Sequence, residues 1–251
     1  MIVRCDLHIH SALSPCASDD MTPGNILGMA YLNGLDVIAI TDHQSCGNIR
    51  SALAARCRLF EEQGRAPLLI PGMELECAEG FHILCYFPSV ESAEDFWHFC
   101  DTYRIHIANK PTVFGEQVYF DADDAPLGVE KDLLLTSSTL DSITLANEAL
   151  RLGAAVIPAH IDRDSYSILA SLGSIPPEFP SRGYELSRNC SIDAFRTLHP
   201  ELRENFYITG SDAHNLTGIF DGGFAILVPD KYGDELDAPK FVEALRALTS
   251  E

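Results

Sequence analysis

The stretch Val37-Ile-Ala-Ile-Thr-Asp42-His43 passes without a break from an apolar run to a carboxylate and an imidazole. A near-continuous apolar run of this kind is typical of a strand that is covered on both faces, as in a parallel sheet between helices. Residues 3–8 form a similar run, and helical patterns follow at 22–33 and 46–62. This alternation predicts an α/β protein.

Further apolar runs recur at residues 68–75, 81–87, 154–159, 184–186, 206–209 and 224–228, and helical patterns lie between most of them. Counting about seven core strands, we predict a closed, TIM-like barrel. The first strand lacks a following glycine-rich phosphate loop, which argues against the dinucleotide-binding and P-loop folds. A chain of 251 residues suits one domain over 1–251, and residues 110–139 interrupt the pattern as a hairpin excursion near the active face.

The composition predicts a cellular setting and a class of partner. The net charge of −20 predicts that the chain does not bind long nucleic acid, because that affinity comes largely from lysine and arginine. A small phosphorylated substrate fits better, since bound cations can reverse the local potential. The sequence begins without a signal-like leader and lacks an apolar run of the roughly 18 residues that a membrane span needs. With eight cysteines and no CxxC pair, we expect a cytoplasmic protein with reduced thiols and no membrane partner.

Hard metal-binding side chains recur where the apolar runs end. They are His8, His10, Asp42, His43, Glu74, His82, His160, Asp212 and His214. Strand ends converge at one face of a barrel, and so many imidazoles and carboxylates without matching cations are costly to hold together. Metal ions would neutralise the carboxylates and bind the neutral imidazoles. The sequence therefore predicts a multinuclear metal site.

Three acidic residues have more specific expectations. Glu74 follows an apolar run, so it is either paired or a metal ligand, and it could bridge two ions. Asp6 shares a strand face with His8 and His10, and it is either an acceptor for a ligand histidine or a surface carboxylate. Asp42 is a ligand, an outer support or a helix cap.

The segment between Glu74 and His82 makes a topological prediction. Residues 76–80 are too few for a helical crossover, so the third and fourth strands should form an antiparallel hairpin. That hairpin would return His82 to the end of the sheet that carries Glu74.

Arginine must supply the positive donors for phosphate, because the chain has only four lysines. A planar guanidinium can hold two phosphate oxygens at once. Arg163 lies close after His160, and Arg182 and Arg188 flank the strand that contains Glu185. Each of these three arginines is either a phosphate contact or a surface ion pair.

As an ordered set, six motifs resemble those of the PHP family, named for polymerase and histidinol phosphatase, in its stand-alone phosphoesterase branch. They are Asp6-Leu-His-Ile-His10-Ser, Ile38-Ala-Ile-Thr-Asp-His43, Gly72-Met-Glu74, Phe81-His82-Ile-Leu, Pro158-Ala-His160 and Gly210-Ser-Asp-Ala-His214. The resemblance implies a distorted (β/α)7 barrel with two or three divalent ions, commonly zinc, manganese or iron. It implies one ion at His8, His10, Glu74 and Asp212, a second at Glu74, His82 and His160, and a third at His43 and His214.

The third ion site is where the chain departs from the family pattern. The family usually offers an aspartate or histidine shortly after the HxH motif. Here Cys16 has the spacing of the histidine version, and a thiolate would favour zinc. Asp19 or Asp20 could serve if the loop bulges, and an empty or weak third site is the remaining alternative.

These features predict a metal-dependent phosphoesterase that acts on a small phosphomonoester or a nucleotide-type substrate. Metal-bound hydroxide would attack phosphorus, and Arg163 would stabilise the developing charge. An ion-bound water is the expected proton source for the leaving oxygen, and His43 or His214 could serve if it is not a ligand. The alternatives are an amidohydrolase-like C–N hydrolase, which usually needs a lysine at a strand end, and a metal-binding accessory protein without turnover.

Overall fold

The computed structural model describes residues 1–229 and 236–250. In chain order its elements are β1 (Ile2–Ile9), α1 (Pro23–Leu32), β2 (Val37–Ile40), α2 (Ile49–Gln63), β3 (Leu68–Glu76), β4 (His82–Tyr86), α3 (Val90–Tyr103), α4 (Pro111–Phe114), β5 (Val118–Phe120), β6 (Pro126–Val129), α5 (Ser142–Arg151), β7 (Ala155–Pro158), α6 (Ile168–Leu172), β8 (Gly183–Ser187), α7 (Ile192–Leu198), β9 (Phe206–Gly210), β10 (Phe224–Leu227) and α8 (Ala238–Ser250). None of these helices combines the length and the apolar character needed to cross a bilayer.

Six strands form the main sheet, in the order β10-β1-β2-β3-β4-β7. Strands β1, β2 and β3 are parallel, as the βα pattern predicts. Strand β4 runs antiparallel to β3, with Glu76 opposite His82, which confirms the predicted hairpin. It is also antiparallel to β7. This reversal places the start of β4 beside the ends of its neighbours.

Strands β8 and β9 form a separate parallel pair. This pair contacts the main sheet at two places. A single bridge joins Ile9 at the end of β1 to Ala213 after β9, and Ile161 N, after β7, donates a 2.9 Å hydrogen bond to the Glu185 carbonyl in β8. The main sheet therefore curls as a half barrel, and the α/β class is confirmed. Continuous strand ladders do not close a (β/α)7 barrel within the described residues, because β8 and β9 pair fully only with each other.

The core has two parts that are separated by the sheet. In β2, Ile38 and Ile40 contribute to the cluster that includes the helices α1 and α2, whereas Val37 and Ala39 contribute to a second cluster with α8. Successive strand residues point to opposite faces, so a fully buried strand of this kind must be apolar at every position. All four β2 residues are buried, which explains the uninterrupted apolar run in the sequence.

Residues 118–129 form a short antiparallel hairpin from β5 and β6. Within the predicted excursion, the apolar run at 129–135 indicates the second strand of the hairpin, but the structure places that strand at Pro126–Val129. Asp121 explains the difference, because its Oδ1 accepts hydrogen bonds from the backbone N–H groups of Asp123 (2.8 Å) and Ala125 (2.9 Å) and so closes a tight turn. The hairpin packs beside the loop after β1, where Val118 N donates to the Ala12 carbonyl at 2.9 Å.

Candidate metal centre

The structure gathers eight of the predicted ligands at one end of the curled sheet. They come from the ends of β1 and β3, the loops after β2, β7 and β9, and the start of β4, and they are His8, His10, His43, Glu74, His82, His160, Asp212 and His214. Carboxyl ends of parallel strands meet at one edge, and the reversed β4 adds its first residue to the same edge. Residues that are far apart in the chain therefore form one cluster.

Glu74 lies at the centre of this cluster and is 1% exposed. Its Oε1 faces three imidazole nitrogens, at 3.3 Å from His8 Nε2, 2.9 Å from His82 Nδ1 and 3.3 Å from His160 Nε2. Its Oε2 faces two others, at 3.4 Å from His10 Nε2 and 3.0 Å from His43 Nδ1. The two oxygens thus face two different groups of histidines, as those of a carboxylate that bridges two metal ions do.

The outer hydrogen bonds of His8 and His10 determine which ring nitrogens face inward. His8 Nδ1 lies 3.0 Å from Glu185 Oε1, and an ionised carboxylate only accepts, so Nδ1 donates. Ser14 Oγ donates to Asp42 Oδ1 at 2.7 Å, so it accepts from His10 Nδ1 at 3.0 Å. Both Nε2 atoms then turn their lone pairs inward, 3.1 Å apart. Two lone pairs at this distance repel unless a cation or a proton lies beside them.

Further observations support a fit to divalent metal ions. The buried atoms Glu74 Oε2 and His160 Nδ1 lack hydrogen-bond partners. Among the described residues, three groups place their ligand atoms within 4.8 Å of one another, namely His8-His10-Glu74, His43-Glu74-His82 and His10-His43-His214. Buried carboxylates and imidazoles that lack partners are characteristic of metal sites. The cluster is therefore suited to divalent metal binding.

The pKa values of the cluster residues also indicate that its carboxylates need a compensating positive charge. Burial opposes the charged form of His10, but its contacts with Asp212 and Glu74 raise its pKa to about 9. Burial lowers the pKa of His43 to about 3 and that of His214 to about 4, helped by the charge of His10. Although burial works in the opposite direction, the charges of His82 and His8 hold the pKa of Glu74 well below its usual range. At neutral pH the cluster therefore presents ionised carboxylates beside neutral His43 and His214, whereas His10 holds a proton that a bound metal ion would displace.

Two cluster residues have backbone conformations that favour glycine. His160 has φ of 30° and Asp212 has φ of 50°. Such conformations cost energy for residues with a side chain and persist where surrounding contacts hold them, often at functional sites. His160 N donates to Glu185 Oε2 at 2.9 Å, and His10 N donates to the Ala213 carbonyl at 3.0 Å. These bonds hold both turns in place.

Glu185 is the principal site residue that the sequence analysis missed as a functional group. It accepts from the His8 ring at 3.0 Å and from the His160 backbone, and it is 1% exposed. Gly210 leaves room for it, because a Cβ atom built at that position would overlap Glu185 Oε1. A carboxylate inside the apolar run at 184–186 was the available signal.

The expectation that Asp6 accepts from a ligand histidine is wrong. Asp6 Oδ1 accepts from Ser211 N at 3.1 Å, and its Oδ2 accepts from Phe220 N at 3.0 Å. It therefore holds the backbone of the segment that carries Asp212, and Glu185 takes the role expected of it. Asp42 is an outer support for His10, as the relay through Ser14 shows, and it also accepts from Ser11 N at 2.7 Å.

Of the three arginines, only Arg163 lies at the cluster. Its Nη1 is 2.8 Å from Asp212 Oδ2, and its side chain is 40% exposed. The expectation that Arg182 and Arg188 contact the same site is wrong. Arg182 donates to the Pro177 carbonyl at 3.1 Å, and Arg188 donates to the Gly218 carbonyl at 2.8 Å. Although both arginines flank β8 in the sequence, neither guanidinium lies at the end of the sheet that holds the cluster.

The cluster lines a cavity of about 160 Å³, and Arg163 and Tyr166 also belong to its lining. We call this cavity the mouth of the cluster. Tyr166 is a second residue that the sequence did not single out. Its ring centroid lies 4.9 Å from that of His82, and its backbone has φ of 55°. The Tyr166 carbonyl also accepts from His82 N at 3.0 Å. The loop after β7 therefore provides both a cation and an aromatic ring to the mouth.

The third ligand group is completed by His10 rather than by Cys16, Asp19 or Asp20. The side chains of Cys16, Asp19 and Asp20 are exposed, and none of them belongs to a ligand group within the described part of the chain.

We expect zinc not to protect Cys16 from a thiol reagent, because the structure leaves it outside the ligand groups. Cys57, which is also exposed, is the internal control. Mass spectrometry after a timed reaction identifies the modified residue. Selective protection of Cys16 by zinc would instead make it a ligand.

No protein-family model matches the sequence, and no curated protein matches it either. Solved structures do resemble it. The lesion-specific endonuclease PfuEndoQ from Pyrococcus furiosus superimposes with a TM-score of 0.64 at 19% identity, over 99% of this chain and 56% of that chain. A protein from Bifidobacterium adolescentis that is assigned as a metal-dependent phosphoesterase gives a TM-score of 0.55 at 18% identity, over 96% of this chain and 95% of that one. An amidohydrolase from Chromobacterium violaceum gives 0.53 at 18% identity, over 96% of both chains.

One comparison overturns the expectation that long nucleic acid is excluded. The structure of Endonuclease Q in complex with a 27-mer duplex substrate matches this chain with a TM-score of 0.63 and 19% identity. In that complex an abasic lesion of the DNA lies at the active site of the enzyme. The chain spans 57% of the length of that protein. Net charge is a sum over the whole molecule, whereas binding depends on the local potential, and metal ions can invert that potential at a site. The net charge of −20 is therefore not a reason to exclude DNA.

All of these neighbours bear the names of hydrolases. Endonuclease Q and the phosphoesterase share the fold that the ordered motifs predict, and they match nearly the whole of this chain. The chain has a PHP-type fold.

Proposed function

We propose that the chain is a metal-dependent phosphoesterase. The observation that carries this proposal is Glu74, whose two oxygens face separate groups of histidines beside a cavity that Arg163 lines. Paired metal ions with an adjacent guanidinium suit the transfer of a phosphoryl group, because all three groups stabilise negative charge on oxygen. The names of the structural neighbours support the same class of reaction.

The cluster offers ligands for up to three divalent ions. His8, His10, Glu74 and Asp212 would hold one, and Glu74, His82 and His160 would hold a second. His10, His43 and His214 form the third group. Imidazole and carboxylate ligands suit zinc, manganese and iron. When bound, such ions supply Lewis acidity that polarises the phosphoryl group and acidifies water.

The protein side chains position the substrate and move its protons. Arg163 uses one nitrogen for Asp212 and keeps further N–H donors for a phosphate. His214 Nδ1 lies 2.8 Å from the Asp212 carbonyl, which only accepts, so this nitrogen donates and Nε2 is left to accept a proton or a metal ion. Because burial lowers the pKa of His214 to about 4, its ring is neutral near neutral pH. His43, whose ring is also neutral, is the second candidate for proton transfer.

The test is hydrolysis by purified protein with added manganese or zinc. The substrates are alkyl phosphates, nucleotides and a short duplex that contains an abasic site, because a structural neighbour acts on such DNA. We expect phosphate ester cleavage that EDTA abolishes and added metal restores. Silence across the panel, with bound metal confirmed by elemental analysis, would refute the proposal.

A C–N hydrolase is the competing class, and the neighbour from Chromobacterium violaceum bears such a name. Two-metal sites of that class usually use a lysine at a strand end. Among the described lysines, Lys110, Lys131 and Lys240, none belongs to the lining of the metal cavity. Lys231 lies outside the described residues. Cleavage of N-acyl amino acids without cleavage of any phosphate ester would favour this class.

Replacement of Arg163 with methionine should raise KM for a phosphoester about 10-fold or more, because a guanidinium that binds phosphate contributes a charged hydrogen bond. Bound metal should not change, since Arg163 contacts the outer oxygen of Asp212. The matched control is Arg182→Met, which removes an arginine that contacts the Pro177 carbonyl away from the cluster. Equal KM values for both variants would remove Arg163 from the binding site.

A further inference from the structure

A larger cavity adjoins the metal centre. Its volume is about 570 Å³, compared with about 160 Å³ at the metal centre itself. It lies between the loop after β7, helix α6, the loop after β8 and helix α7. Arg163 lines both cavities. A phosphate held by Arg163 at the metal centre would therefore lie beside the larger cavity.

The walls of the larger cavity are largely apolar. Ile161 and Phe195 are buried, and Phe195 stacks on His199 with ring centroids 4.4 Å apart. Leu198 at its rim is 76% exposed, so it presents an apolar surface that a ligand could cover. Cavities of this size and character are typical sites for the organic part of a ligand.

The charged groups at the cavity limit what it can hold. Asp162 is committed to the protein, because its Oδ1 accepts from Ser187 N at 2.7 Å and its Oδ2 binds the Ser187 hydroxyl. Asp164 adds a second carboxylate to the lining, and it is exposed. Two carboxylates beside an apolar wall disfavour an anionic group. Among the described residues, Arg163 is the only fixed positive charge in the lining, and it also lines the cavity at the metal centre.

From these observations we infer that the larger cavity binds the alcohol portion of the substrate, and that this portion is an uncharged, ring-bearing group. The inference rests on the proposed phosphoesterase function and names its substrate class. The small cavity takes the phosphate, Arg163 binds it, and Leu198 contacts the ring. Leu198 is then a residue that determines specificity without taking part in the chemistry.

The test compares two esters of primary alcohols whose leaving groups have similar reactivity, 2-(1-naphthyl)ethyl phosphate and ethyl phosphate. With the manganese-loaded protein, we expect kcat/KM to be about 10-fold or more higher for the naphthyl ester, because burial of the ring favours binding. The variant Leu198→Asp places a charge beside the ring and should lower kcat/KM for the naphthyl ester to about that for ethyl phosphate. Leu32→Asp is the matched control, since Leu32 is also 76% exposed but lies on α1, away from the cavity.

A second measurement does not depend on turnover. Binding of 2-(1-naphthyl)ethanol is followed by fluorescence anisotropy in wild type, Leu198→Asp and Leu32→Asp, and we expect only Leu198→Asp to lose it. If neither ester is cleaved although metal is bound, the phosphoesterase proposal fails, and the binding experiment alone decides the role of the cavity. Absence of binding to wild type, or equal binding to all three proteins, would overturn the inference.

Discussion

Replacing Glu74 with glutamine is expected to lower kcat for phosphoester hydrolysis about 1000-fold or more, because it removes the charge that two metal ions would share. The substitution preserves the shape of the side chain but leaves a neutral amide among five histidines. An amide N–H group would also face imidazole nitrogens that now approach Glu74 to within 3.4 Å. Bound metal should fall with kcat, and elemental analysis of the purified protein measures it.

The matched control for this variant is Glu148→Gln. Glu148 lies on α5, where its Oε1 contacts Arg151 Nη2 at 2.7 Å away from the cluster. A solvated ion pair of this kind contributes little to stability, so neither kcat nor metal content should change. Full metal occupancy and activity in Glu74→Gln would show that Glu74 does not bridge ions.

The variant Glu185→Gln should weaken metal affinity about 10- to 100-fold, which is the usual effect of losing a carboxylate behind a ligand histidine. Glu185 accepts from two donors, the His8 ring and the His160 backbone. Glutamine has one acceptor oxygen, so its NH2 group would face one of these donors. Titration of metal-free protein with zinc measures the affinity. Activity should recover in excess metal, which a collapsed site would not allow.

Gly210→Ala should act in the same direction as Glu185→Gln, because its methyl group would displace the Glu185 carboxylate. Gly28→Ala is the matched control, since Gly28 lies in α1 with open space where a Cβ would be. Alanine is also the better helix former there. Wild-type zinc affinity in both Glu185→Gln and Gly210→Ala would show that Glu185 does not position His8.

Local sequence patterns predicted the strands that carry the site. The β2 residues are apolar at every position because both faces of the strand are buried. His82 could be placed beside Glu74 because the five residues between β3 and β4 cannot hold a crossover helix, so the chain has to reverse. These predictions succeed because they depend on chain geometry over a few residues.

Other expectations failed where distant residues decide the outcome. Glu185 takes the role expected of Asp6, because the ring of His8 faces the β8 side of the curl. Arg182 and Arg188 flank the right strand, but neighbouring backbone carbonyls hold their guanidinium groups elsewhere. The net charge misled about DNA because it averages over the surface.

By itself, the sequence determined the α/β class, the antiparallel return of β4 and the set of side chains that end near one another, because periodicity and loop length govern these features. Only the tertiary structure decided which oxygen of Glu74 faces which histidine, that Glu185 and Ser14 orient the rings, and that Arg163 lines two cavities. Each of these depends on contacts within a few ångströms between residues far apart in the chain. Such contacts are set when the strands curl together, and local pattern contains no record of them.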